Sequence, residues 1–258
     1  MFSRKQKRRI RKAAWAAVFV MIIILGVYFA SEMIRSRKKI TFARYPEFGI
    51  LIPENYSIHG IDVSKYQDMI LWEEVKAMKV KNIQIGFAFI KATEGIGNTD
   101  PRFKRNWKKA GDNSMIRGAY HFFIGSKDGK MQAENFIDKV DLQPGDLPPV
   151  LDIEQLNGAA SAEVRKEAKE WLEVVEHYYK VKPIIYTNVD FYTRHLGGEF
   201  DAYPLWIAHY YQMKEPRINR GWVFWQHSDE GRVNGINSPV DFNVFNGDSL
   251  TFQNLLLH

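Results

Sequence analysis

From residue 59 onward the chain repeats one pattern: a short apolar run rich in Val, Ile, Phe and Tyr, then a longer helical or turn-rich stretch. Eight such runs stand at residues 60–63, 83–92, 118–123, 150–153, 184–187, 205–209, 223–227 and 240–244. Several are continuously apolar rather than alternating, as expected of strands covered on both faces. Helical periodicity fills the first four gaps. Residues 70–79 carry Ile70, Val75 and Met78 on one side, and residues 101–110 open with Pro101 behind Asp100 as N-cap. Residues 130–139 space Ala133, Phe136 and Ile137 helically. Residues 161–180, with Ser161 as the expected cap, align Val164, Ala168, Trp171, Leu172, Val175 and Tyr178 in one stripe. The last three runs are joined by connections too short for a full helix pair. β/α repeats followed by a run of strands predict an α/β, TIM-like barrel, whose active site lies at the C-terminal ends of its strands. At 258 residues, 45% hydrophobic and 14% aromatic, the chain can bury one such core.

The net charge of +6 is unevenly placed. Residues 1–44 hold 12 Lys/Arg and one acid, Glu32, giving +11 and leaving −5 for residues 45–258. The folded body is therefore mildly acidic, which argues against a nucleic-acid partner. With no cysteine, thiolate metal sites, disulfides and Cys nucleophiles are excluded. The seven histidines are scattered without ligand spacing, so no metal is expected.

Residues 13–30, AAWAAVFVMIIILGVYFA, run for 18 residues without a charge, the short end of what spans a bilayer as a helix. Seven Lys/Arg precede the run and four follow it at residues 35–39, so the N-terminus is expected inside and the body outside the cytoplasm. A cleaved signal peptide would have a shorter apolar region and a small residue where Tyr28 stands. The expected organisation is a basic cytoplasmic tail (1–12), a single transmembrane signal anchor (13–30), a juxtamembrane linker (31–57) and the barrel (58–258).

The carboxylates carry the chemistry. In Pro149-Val150-Leu151-Asp152-Ile153-Glu154 an apolar strand ends in two acids at i and i+2, which share one face. Burying two acids side by side costs free energy and drives their pKa values apart, which serves glycoside hydrolysis: one carboxyl donates a proton while another stabilises the developing cation. Asp62 ends the first run and Asp241 lies in the last, and first and last strands adjoin in a closed barrel. A lone Asp at a strand end is more often a cap or turn residue; four acids at strand ends in a barrel frame point to function. Tyr120, His121, Phe123, Tyr186, Trp206, His209, Trp225 and Gln226 add aromatic faces and hydrogen-bonding groups suited to sugars.

These residues occur in stretches with a common likeness. Gly60-Ile61-Asp62-Val63-Ser64-Lys65-Tyr66-Gln67, Phe89-Ile90-Lys91-Ala92-Thr93-Glu94-Gly95, Arg117-Gly118-Ala119-Tyr120-His121-Phe122 and the Asp152–Glu154 stretch resemble glycoside hydrolase family 25, the Chalaropsis-type lysozymes. Ile185-Tyr186-Thr187-Asn188, Leu205-Trp206-Ile207-Ala208, Trp225-Gln226-His227-Ser228 and Val240-Asp241-Phe242-Asn243 continue the set in family order. The resemblance covers about residues 58–248. It implies a (β/α)5(β)3 barrel and an N-acetylmuramidase that cuts the β-1,4 bond between N-acetylmuramic acid and N-acetylglucosamine in peptidoglycan, without cofactor. By position it makes Glu154 the general acid/base and Asp152 the stabiliser of the acetamido group or oxocarbenium. Asp62 and Asp241 complete the acidic floor; Tyr120, Tyr186, Trp206, Trp225 and Gln226 line the groove. The rival readings are a non-catalytic peptidoglycan-binding barrel and a chitinase-like N-acetylhexosamine hydrolase.

Overall fold

All eight apolar runs form strands, and hydrogen bonding between them closes a barrel. The computed structural model describes residues 12, 15, 16, 18–27 and 40–258. A ribbon precedes the barrel: β1 (Phe42–Tyr45) and β2 (Ile50–Pro53), paired antiparallel. The barrel strands are β3 (His59–Val63), β4 (Ile83–Glu94), β5 (Ile116–Phe122), β6 (Val150–Asp152), β7 (Ile184–Asn188), β8 (Leu205–Ala208), β9 (Phe224–Gly231) and β10 (Val240–Phe245). Strands β3 to β9 run parallel to their neighbours, whereas β10 is antiparallel to both β9 and β3. Helices α1 (Trp72–Ala77), α2 (Phe103–Asp112), α3 (Gly129–Lys139) and α4 (Ser161–Tyr179) follow the first four barrel strands. A run of short helical turns from Val189 to Phe200 follows β7, and no helix separates β8, β9 and β10.

The ends of α2 and α4 differ in detail from their sequence signals. The N-cap of α2 is Arg102, without a side-chain cap bond; Asp100 lies two residues earlier and accepts the N–H of Arg102 at 2.8 Å in the turn before the helix. Ser161 is the first residue of α4 rather than its cap, and its hydroxyl instead pairs with His195 Nδ1 at 2.8 Å.

The barrel is filled by an aromatic column. Phe87 and Phe89 of β4 meet Phe224 with centroids 5.1 and 5.2 Å away, and Phe252 of the closing helix Ser249–Gln253 packs 5.7 Å from Phe87. Trp206 stacks on Phe89 at 4.4 Å, with Tyr186 edge-on to it at 4.5 Å. Two strand glycines make room for the column. A Cβ on Gly60 would lie 2.4 Å from the Phe87 ring, and one on Gly118 would lie 2.6 Å from Phe89.

Residues 40–57, expected in the linker, belong to the compact unit Ile40–His258. The reason lies in the missing helices. No helix lies between β9 and β10, and their outer apolar face packs against the ribbon. Phe48 is fully buried and lies 5.3 Å from Phe242, while Phe42 packs edge-on against Trp225 at 6.1 Å.

In the N-terminal unit, residues 18–27 are helical and their apolar side chains are exposed. The expected span 13–30 lies partly outside the described residues, among which no helix is long and apolar enough to cross a membrane.

Candidate active site

The pleat of β3 sends Gly60 and Asp62 to the same face. Gly60 admits Phe87 beneath, and Asp62 stands above it, buried. Asp241 is the register partner of Asp62 in the antiparallel pair that closes the barrel. It lies near the start of its strand, yet reaches the same mouth because β10 runs in reverse. Asp152 ends β6, its carbonyl accepting the Phe123 N–H at 2.8 Å, and the following Ile153 N–H donates to Tyr186 O at 2.9 Å. Glu154 follows just past the strand. The neighbouring strands thus grip the backbone beneath the two acids.

Asp62, Asp152, Glu154, Asp241, Tyr120, Tyr186, Trp206 and Gln226 line one cleft at the barrel mouth. Trp225 does not. Adjacent residues of a strand point to opposite sides, so with Gln226 facing inward Trp225 must face outward. It is fully buried between barrel and ribbon, its indole N–H donating to His209 O at 3.0 Å. His121 is also turned away. It bonds Thr93 Oγ1 at 2.7 Å, stacks on Trp171, and is kept neutral by burial, which lowers its pKa to about 3.

The cleft also holds Lys91, Tyr66, Gln67 and Tyr210, which were not singled out from sequence. Lys91 follows Phe87 and Phe89 at strand spacing, a signal that it shares their inward face. Its ammonium pairs with Glu94 at 2.6 Å and lies 4.5 Å from the Phe122 ring centroid. Tyr66, 74% exposed, forms a lip of the cleft. Tyr210 lies in the loop after β8, where strand periodicity says nothing.

Burial dominates the electrostatics. It raises the Asp152 pKa well above the usual carboxylate value; Glu154 adds to the rise and Lys91 opposes it. Glu154 is also raised by burial, again opposed by Lys91. Burial lifts Asp62 to about 6, although the amides of Asn243 and Gln226 stabilise its anion. Burial, then the charge on Asp62, pushes Asp241 up to about 9. The cleft can therefore hold protonated and ionised carboxyls together near neutral pH, as acid-assisted cleavage of an acetal requires. Asp152 Oδ1 is buried with no hydrogen-bond partner among the described residues. Among those residues, no group of three or more His, Cys, Asp or Glu is placed to hold a metal ion.

A barrel with clustered acids over an aromatic floor is the architecture of a glycoside hydrolase. Residues 61–236 match the model of glycosyl hydrolases family 25, and the chain belongs to that family. It is 47% identical over 223 residues to the uncharacterized protein YegX of Escherichia coli K12, covering 85% of this chain and 82% of the relative. It is 35% identical over 208 residues to Lysozyme M1 of Streptomyces globisporus, covering 74% of this chain and 69% of that one. The structure of a family 25 glycosyl hydrolase from Bacillus anthracis superposes with a TM-score of 0.73 at 33% identity, covering 83% of this chain and all of that one.

Proposed function

We propose that the protein is a muramidase that hydrolyses the β-1,4 bond between N-acetylmuramic acid and N-acetylglucosamine in peptidoglycan. The observation that carries this reading is the convergence of Asp62, Asp152, Glu154 and Asp241 on one cleft in a family 25 barrel. The similarity to a lysozyme supports the substrate.

In this reading Glu154 is the general acid. Burial raises its pKa against the pull of Lys91 and so favours the proton-donating form, and its partly exposed position leaves it free to reach the leaving oxygen. Asp152, with one carboxylate oxygen unclaimed by its neighbours, receives the acetamido group of the reacting sugar or stabilises the oxocarbenium. Asp62 and Asp241 form the acidic floor, and Tyr120, Tyr186, Trp206 and Gln226 shape the groove.

The body is held on the outer face of a bacterial cytoplasmic membrane by residues 13–30, with the basic tail inside. Support comes from the uncharged 18-residue run, the excess of Lys/Arg before it, and the exposed apolar side chains of residues 18–27. An anchored enzyme would trim its own cell's wall rather than be released.

The test incubates the full chain in detergent with purified peptidoglycan, then reduces the products with borohydride for mass spectrometry. Reduced muramic acid ends support the reading. Reduced glucosamine ends reverse the bond specificity, and binding without products leaves a glycan-binding barrel. Turnover of chitin oligomers alone would favour a chitinase-like hydrolase.

A further inference from the structure

Asp62 is held by two side-chain amides, and each amide is itself oriented by donors behind it. Gln226 Nε2 donates to Asp62 Oδ2 at 2.7 Å, and Asn243 Nδ2 donates to the same oxygen at 2.8 Å. An amide presents N–H on one side and carbonyl on the other, so either could in principle turn its oxygen toward the carboxylate. Asn243 is prevented by Trp206, whose indole N–H can only donate and does so to Asn243 Oδ1 at 2.7 Å. Gln226 is prevented by two phenols. Tyr186 and Tyr210 both donate to its Oε1, at 2.7 and 2.6 Å, filling both lone pairs. Tyr186 stands on a barrel strand, but Tyr210 comes from the loop after β8.

We propose that Tyr210 is a positioning residue, acting through Gln226 to hold one of the two N–H donors on Asp62, so that Asp62 rather than its register partner Asp241 carries the negative charge. The proposal rests on the muramidase reading for its catalytic meaning, though not for its geometry. Without the Tyr210 hydroxyl, one Gln226 lone pair is unfilled and the amide can turn its carbonyl toward Asp62, which then accepts a proton more readily. The other ionisable groups around Asp62 are Asp241 on β10, Asp152 and Glu154 at the end of β6, and Tyr120 and Tyr186. Lys91 supplies the cation of the same cleft. Of these, Tyr186 shares the Gln226 carbonyl with Tyr210 and keeps its own bond to it when the Tyr210 phenol oxygen is removed.

The experiment compares the full chain with Tyr210→Phe and with the control Tyr211→Phe, whose exposed hydroxyl donates to Asp229 at 3.4 Å. Two quantities are read across pH: kcat/KM on peptidoglycan and the melting temperature. In Tyr210→Phe the acid limb of kcat/KM moves toward higher pH by about 0.5–1 unit, the size expected for one lost hydrogen bond. The Tm deficit against the wild type also widens as pH rises through the Asp62 titration. Tyr211→Phe changes neither. An unmoved acid limb with only a raised KM, or a Tm deficit independent of pH, would overturn the proposal. If the wild type cleaves no peptidoglycan, the Tm readout still decides the proposal while the muramidase reading fails separately.

Discussion

Asp62 and Asp241 stand directly opposite each other in the antiparallel pairing that closes the barrel. The pairing sets one acid near the end of β3 and the other near the start of β10 over the same aromatic floor. Amide donors to Asp62 and burial around Asp241 then separate their proton affinities. A purely structural pair of acids would have little reason to be built this way, because their mutual repulsion costs stability.

That cost has a pH signature. Asp241 titrates near 9 and Asp62 near 6 in the folded chain, both above the ordinary carboxylate value. The folded state thus keeps protons that the unfolded state releases. Their contribution to stability is fully present below the unfolded pKa, about 4, and is lost as pH rises through 6 and on toward 9. Scanning calorimetry from about pH 5 to 9 should show that Asp241→Asn gains Tm relative to the wild type as pH increases. A difference that stays constant with pH would show that Asp241 is already ionised.

Glu154→Gln keeps the shape of the side chain but removes its proton. Positioned acid–base groups contribute about 10²–10⁴-fold, so kcat for release of reducing ends should fall by that factor. Because Glu154 is only partly buried and the substitution keeps its shape, Tm should change little. Undiminished turnover would move the acid role to another carboxyl of the cleft.

Trp225 tests the outward face of β9. Trp225→Ala should destabilise the fold by about 3–5 kcal/mol, the usual cost of emptying a large aromatic site, since it removes contacts with Phe42, Tyr56 and Trp222. The milder Trp225→Phe, measured below its melting range, should leave KM for peptidoglycan near the wild-type value. A large KM increase in that folded variant would place the ring in the groove after all.

Gly60→Ala should be disproportionately harmful for one methyl group. Its Cβ would meet the Phe87 ring at 2.4 Å, and overpacking of this kind costs about 1–3 kcal/mol. Relief by shifting β3 would also displace Asp62, so kcat should fall together with Tm. Loss of Tm with unchanged kcat would mean that Phe87 moves instead.

The residues at the cleft divide by how they could be read. Lys91 and Asn243 were open to strand periodicity: one lies two residues beyond Phe89, the other two beyond Asp241. Tyr210 and Tyr66 were not, because they reach the mouth from outside the strands, where no short-range period operates. The ribbon β1–β2 was equally hidden, since its role follows from helices that are missing elsewhere in the chain.

The sequence by itself determined the eight strands, the four helices after the first four of them, and the acids in or just beyond strands β3, β6 and β10. These rest on local properties: apolar run length, helical spacing and the side-chain period of two. Only the tertiary structure decided that β10 runs backwards, that Trp225 belongs to the outer shell, and that Tyr210, Gln226 and Asn243 act on Asp62. Those outcomes depend on which residues meet after the barrel closes, and closure is a property of the whole chain rather than of any segment.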